Sequence, residues 1–82
     1  MSFRDKIPFA TAQSSSREES IAILDRYRDD LSEEEYGWIY SSIATHAIER
    51  MYLGEREIVV AVAHLRDEIT ADEILQLARK AA

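Results

Sequence analysis

From residue 16 onward, apolar residues recur three and four positions apart, the spacing of a helix with one buried face. Three of these stretches begin with a hydroxyl residue followed three places later by a glutamate: Ser16 with Glu19, Ser32 with Glu35, and Thr70 with Glu73. In such a capping box the hydroxyl accepts from the third amide of the helix, and the glutamate reaches back to the amide of the cap. The pattern predicts four helices, over about 17–31, 33–53, 55–67 and 71–81. Glycine occurs only at Gly37 and Gly54, and proline only at Pro8. Gly54 suits the left-handed residue that follows a helix, which closes the second helix there. The run Ile58-Val59-Val60-Ala61-Val62 also fits a buried strand. No second strand candidate exists to satisfy its backbone groups, so helix is the expected state.

At 100° per residue the predicted helices gather distinct faces. The first collects Ile23, Leu24, Tyr27 and Leu31; the third collects Ile58, Ala61, Val62 and Leu65, with Ile69 continuing the line. The fourth collects Ile74, Leu77, Ala78 and Ala81. The second carries Tyr36, Ile39, Tyr40, Ile43, Ala47, Ile48 and Met51 over more than half its circumference, which predicts a central position. Residues 1–15, rich in Ser, Thr and Ala toward their end, read as a partly mobile tail. Phe3, Ile7 and Phe9 in that tail fit either docking on the bundle or gripping a partner. The expected fold is therefore all-α: a tail over 1–15, and one bundle of about four helices over 16–82.

Length changes the picture next. Eighty-two residues allow one small domain. Its large aliphatic residues offset the entropy of ordering the chain only narrowly, which makes a dimer or a stabilising partner a reasonable expectation. The chain has no cysteine, which excludes disulfides and thiolate metal sites. Its net charge is −6, and its basic residues are scattered, most beside an acid, as Arg26 follows Asp25 and Arg66 precedes Asp67. Phosphate-backbone binding draws on clustered Lys and Arg, so direct nucleic-acid or anionic-membrane binding is disfavoured. No apolar run approaches a membrane span or a signal peptide, so a cytoplasmic location is expected.

Candidate chemistry is sparse. No Gly-x-Ser-x-Gly, His-Glu-x-x-His or phosphate-cradling glycine loop is present, so neither a catalytic residue nor a cofactor is assigned. His46 precedes Glu49, and His64 precedes Asp67 and Glu68, but Glu49 turns away from the face that holds His46, so no metal site is assigned.

The polar strip of the second helix is more informative. It holds Glu34, Ser41, Thr45 and Glu49, with Trp38 and Tyr52 stranded among them. Small residues between two aromatics let another helix approach closely, and Trp and Tyr dominate binding hot spots. The densest acidic cluster, Asp25, Asp29, Asp30, Glu33, Glu34 and Glu35, suits Arg or Lys of a partner, with Asp29, Asp30, Glu33 and Glu34 as its candidate contacts. Glutamates in a first helical turn are also favourable with no function at all.

The segment from Asp67 to Ile74 is similar to the closing helix of small bacterial antitoxins that restrain Fic enzymes. That family's inhibitory signature ends in Glu followed by Gly or Asn, and no glutamate here precedes either, so the likeness transfers no functional residue. A helix-turn-helix over 55–80 is disfavoured because its recognition helix opens with Asp72 and Glu73. The expectation is a small, acidic, non-enzymatic module that binds a protein partner. It would act as a regulator or inhibitor occupying that partner's surface, in its more specific form the surface of a basic, nucleic-acid-binding protein, as antitoxins and phage anti-defence proteins do. The alternative is a self-assembling homo-oligomeric subunit.

Overall fold

Hydroxyl caps open most of the helices. In the computed structural model, which describes residues 2–81 apart from the side chains of 78, 80 and 81, Ser2 accepts from the Asp5 amide and Ser16 from the Glu19 amide. These caps start α1 (Phe3–Lys6) and α2 (Arg17–Asp25). Ser32 accepts from Glu35 N at 3.1 Å and Ser32 N donates to Glu35 Oε1 at 2.8 Å, a complete box that starts α3 (Glu33–Ile48). Thr70 and Glu73 form the same reciprocal pair, with both bonds at 3.2 Å, at the start of α5 (Ala71–Ala81). At α2 the box is shifted: the Glu19 carboxylate accepts from the amide and hydroxyl of Ser15 rather than from Ser16 N. Short 3-10 turns cover Ile7–Phe9 and Arg28–Asp30. The described residues are all-α, with five helices and no strand. None of these helices is long and apolar enough to cross a membrane.

Helix ends fall earlier than the periodicity suggests. Helix α3 stops at Ile48, five residues short of the expected end. The left-handed position is taken by Arg50, at φ 61°, rather than by Gly54. Arg50 N donates to Ala47 O and Met51 N to His46 O, the paired bonds of a Schellman end. Helix α4 (Glu55–Leu65) closes in the same way around Asp67, at φ 58°, with Asp67 N bonded to His64 O and Glu68 N to Ala63 O. Gly54 instead caps the start of α4, where a Cβ would lie 3.0 Å from Ala12 O and 3.1 Å from Glu57 Oε2. Close approach of the 10–14 segment, not a left-handed turn, is what calls for glycine there.

The helix at the centre is α4, not α3. Ile58, Val59, Val62 and Ala63 are fully buried, and α4 packs against α1, α2, α3 and the Ile7–Phe9 turn. Four compact apolar side chains on adjacent positions let neighbours close on this helix from several sides. On α3 the long tyrosines Tyr36 and Tyr40 are half-buried, with the Tyr36 hydroxyl reaching exposed Asp25, and only Ile39 and Ile43 are fully inside. The expected face of α4 is rotated: Leu65 is exposed, and Ala61 is only half-buried. On α2, Ile23 and Leu24 are buried as expected, with Tyr27 and Leu31 half-buried beyond its end. On α5, Ile74 and Leu77 are half-buried, and the expected burial of Ala78 and Ala81 lies outside the described residues.

Within residues 2–15, three apolar side chains dock on the bundle. Phe3 is 1% exposed, and Ile7 and Ala10 are buried with it in the common core. Phe3 meets Tyr27 ring to ring at 5.6 Å. Arg4 joins this segment to the far end of the chain, pairing with Glu73 and bonding both the side chain and the carbonyl of Glu68. Phe9, grouped with Phe3 and Ile7 in the sequence, is 80% exposed.

Candidate interaction surface

The outward side of α3 is a continuous strip. Glu34, Trp38, Ser41, Thr45 and Glu49 are all exposed, within about 100° of arc. Trp38 is 58% exposed and, with Leu65 of α4, Ser32, Glu34 and Glu35, lines a shallow notch of about 100 Å³. Thr45 Oγ1 donates back to Ser41 O at 2.9 Å, so the middle of the strip spends its hydroxyl on its own helix. Tyr52 is not on this strip. Because α3 ends at Ile48, Tyr52 sits in the following loop, where it lines a separate groove of about 520 Å³ with the 10–14 segment, Arg56 and Glu57.

Two apolar residues assigned to the buried face of the second expected helix lie outside. Ile48 is 84% exposed and Met51 53% exposed, at the end of the strip opposite Trp38. Ile48 falls on the outward arc when the helix is indexed from its buried residues Ile39 and Ile43, a signal the sequence carried but which the wide apolar stripe obscured. Leu65 of α4 is exposed for a different reason: the buried face of that helix is turned toward Val59 and Ala63.

The acidic cluster divides into bound and free members. Glu35 is held by Arg66, whose Nη2 also donates to Asp30 O at 2.6 Å. This guanidinium and the Ser32 amide pull the Glu35 carboxyl down to about 2. Asp25 accepts from the Tyr36 hydroxyl at 2.6 Å, a bond that pushes the tyrosine upward. Asp29 and Asp30, in the 3-10 turn, and Glu33 and Glu34, in the first turn of α3, are exposed. Arg28 lies over the Tyr36 ring at 4.6 Å and sets one cation among these acids.

The histidines are engaged locally. His46 Nδ1 donates to Ser42 O at 2.7 Å, and His64 Nδ1 faces Ile69 O at 3.4 Å. Among the described residues, no group of three or more His, Cys, Asp or Glu is placed to hold a metal ion. Fully buried Ser20 donates to Leu53 O and meets Ser14 Oγ, both at 2.8 Å. That hydroxyl ties α2 to the α3–α4 loop.

Comparison with known proteins gives no match to a protein family, a curated protein or a solved structure.

Proposed function

We propose that this chain is a non-enzymatic protein-binding module whose contact face is the outer side of α3. What carries the reading is Trp38: an indole 58% exposed on a rigid helix, beside the notch it shares with Leu65 and Glu34. An exposed tryptophan gains most when another surface removes it from water, and such anchors dominate interface energetics. Ser41 and Thr45 beside it are short enough for close approach. The free carboxylates of Asp29, Asp30, Glu33 and Glu34 at the same end favour a partner with basic residues there and speed its approach at low salt. A regulator or inhibitor that works by covering a partner's surface needs only these features.

The test is site-specific cross-linking in the native host. A photoreactive residue replaces Trp38 in one variant and exposed Arg26 in another. A protein adduct formed at 38 but not at 26 supports the assigned face. Equal adducts at both sites, or none, remove it. Once the adduct is identified, Trp38→Ala weakens its affinity about 30-fold or more while helicity is retained.

A further inference from the structure

We infer that the occupant of the α3 face is a second copy of this chain, paired antiparallel along that helix. This rests on the face proposed above and names what covers it. Exposed positions 34, 38, 41, 45 and 48 are spaced alternately by four and three, the spacing of a two-helix seam. The residues on it are also symmetric about the level of Ile43. Trp38 and Ile48 each lie five residues from that level, and Ser41 and Thr45 each lie two. A twofold axis there brings Trp38 of one copy against Ile48 of the other, and Ser41 against Thr45, both ways round. That reciprocity is what an isologous contact requires.

Knobs and holes fit this pairing. Ile48, 84% exposed, enters the hole formed by Glu34, Gly37, Trp38 and Ser41 of the other copy. Gly37 is otherwise unexplained. It stands inside a helix, where glycine costs about 1 kcal/mol relative to alanine, and a Cβ built on it meets nothing within 4 Å. Within one chain nothing requires its lack of a side chain; an approaching Ile48 does. In return, the Trp38 indole enters between Thr45, Ile48 and Glu49, where the end of α3 leaves room for a large ring.

Charge fits as well. Antiparallel pairing opposes the two helix dipoles and sets the acidic first turn, Glu33 and Glu34, beside exposed Arg50 at the partner's helix end. Glu49 meets the Glu35–Arg66 pair, whose charges cancel. The acids at Asp29 and Asp30 stay outside the seam, where the pair leaves them open to a basic partner. One 16-residue helix gives less than the roughly 800 Å² per partner of a stable interface. The pairing is therefore concentration-dependent.

The experiment is sedimentation of the purified full chain at about 1 to 300 µM, a range chosen for a weak interface. The expected mass rises from 9.4 kDa to twice that value. Ile48→Glu and Gly37→Leu each raise the dissociation constant about 30-fold or more with unchanged helicity, and Arg26→Ala does not. Since the chain has no cysteine, orientation is read by oxidising a mixture of Ser41→Cys and Thr45→Cys chains. Mixed 41–45 links dominate if the pair is antiparallel. Dominant 41–41 and 45–45 links, or a dimer indifferent to Ile48→Glu, overturn it. A monomer throughout the range also overturns it, and then an adduct of residue 38 with a different protein leaves the α3 face standing. A monomer with no adduct removes both.

Discussion

Arg66 grips Glu35 across two helices through two side-by-side hydrogen bonds, Nε to Oε2 at 2.8 Å and Nη2 to Oε1 at 3.0 Å. The same guanidinium lies on the buried Phe3 ring at 4.8 Å. One side chain thus fixes the start of α3 to the end of α4 and covers the aromatic that anchors the N-terminal segment. Because Glu35 also completes the Ser32 box, it is drawn on by both Arg66 and the Ser32 amide.

The pH dependence follows from that grip. Glu35 is lowered from 4.5 to about 2 on folding. A carboxyl lowered in the folded state stabilises fully above its unfolded value, and the contribution disappears as pH falls toward the folded value. Glu19, Glu55 and Glu73 are lowered as well and act in the same direction. The melting temperature is expected to hold from pH 7 to about 5 and to fall between about 4.5 and 2. Glu35→Gln loses about 1–2 kcal/mol at neutral pH, discounted for its partial exposure, and flattens the acid fall. Thermal denaturation followed by circular dichroism across this range checks both effects; an acid limb of unchanged size in the variant contradicts the assignment.

Phe3 and Phe9 separate core from surface within one short segment. Phe3→Ala removes a ring that is 1% exposed and is expected to cost about 3–5 kcal/mol. Phe9→Ala removes one that is 80% exposed and should change stability by less than about 0.5 kcal/mol. Urea denaturation of the two variants decides. Equal effects would mean that the N-terminal segment does not pack as described.

Much of this fold was legible before any coordinates. The hydroxyl–glutamate pairs located the starts of α2, α3 and α5, because a cap acts within three residues and leaves its signature in the local sequence. The exposed strip from Glu34 through Trp38 to Glu49 followed from helical geometry alone. What escaped depended on distance. Nothing local announces that Arg66 reaches Glu35, 31 positions away, or that Phe3 lies beneath it. The four-residue α1 is too short to show a period, and Pro8 beside it reads as a break. The central role of α4 escaped because counting apolar residues around a helix does not weigh their size or their polar ends; Tyr36 and Tyr40 count as apolar yet sit at the boundary. Tyr52 was placed on the strip only because Gly54 was given the helix-ending role that Arg50 holds.

Arg50 and Asp67 hold left-handed backbone conformations, at φ 61° and 58°, without being glycine. An L-residue pays about 1–2 kcal/mol there, less for aspartate, whose short side chain tolerates the region better. Arg50→Gly is expected to raise stability by about 1 kcal/mol, and Asp67→Gly by about half that, since both Schellman ends are already formed. The two sites end different helices, so the gains add. For a domain of this size the double variant should melt roughly 5–10 °C higher. Calorimetry checks the order as well as the sum, and a loss of stability in Arg50→Gly would show that its side chain makes a contact worth more than the relieved strain.

Tyr27 and Glu55 give the alkaline counterpart. The Tyr27 hydroxyl donates to Glu55 Oε2, while the other oxygen of that carboxylate accepts from Ala12 N at 3.1 Å. Burial, then the bond and charge of Glu55, raise Tyr27 from 10 to about 12. The neutral phenol therefore belongs to the folded state. A group raised in this way stabilises fully below its unfolded value and loses that contribution as pH climbs through the folded one, here from about 10 to 12. Tyr27→Phe removes the donor and leaves Glu55 with the Ala12 amide but without its phenol. The expected cost at neutral pH is about 1–2 kcal/mol, and the decline in stability above about pH 10 becomes shallower. Tyrosinate absorbance should show Tyr27 ionising together with unfolding rather than before it. If Tyr27→Phe leaves the number of late-ionising tyrosines unchanged, the Tyr27–Glu55 bond is not what joins α4 to the segment that follows α2.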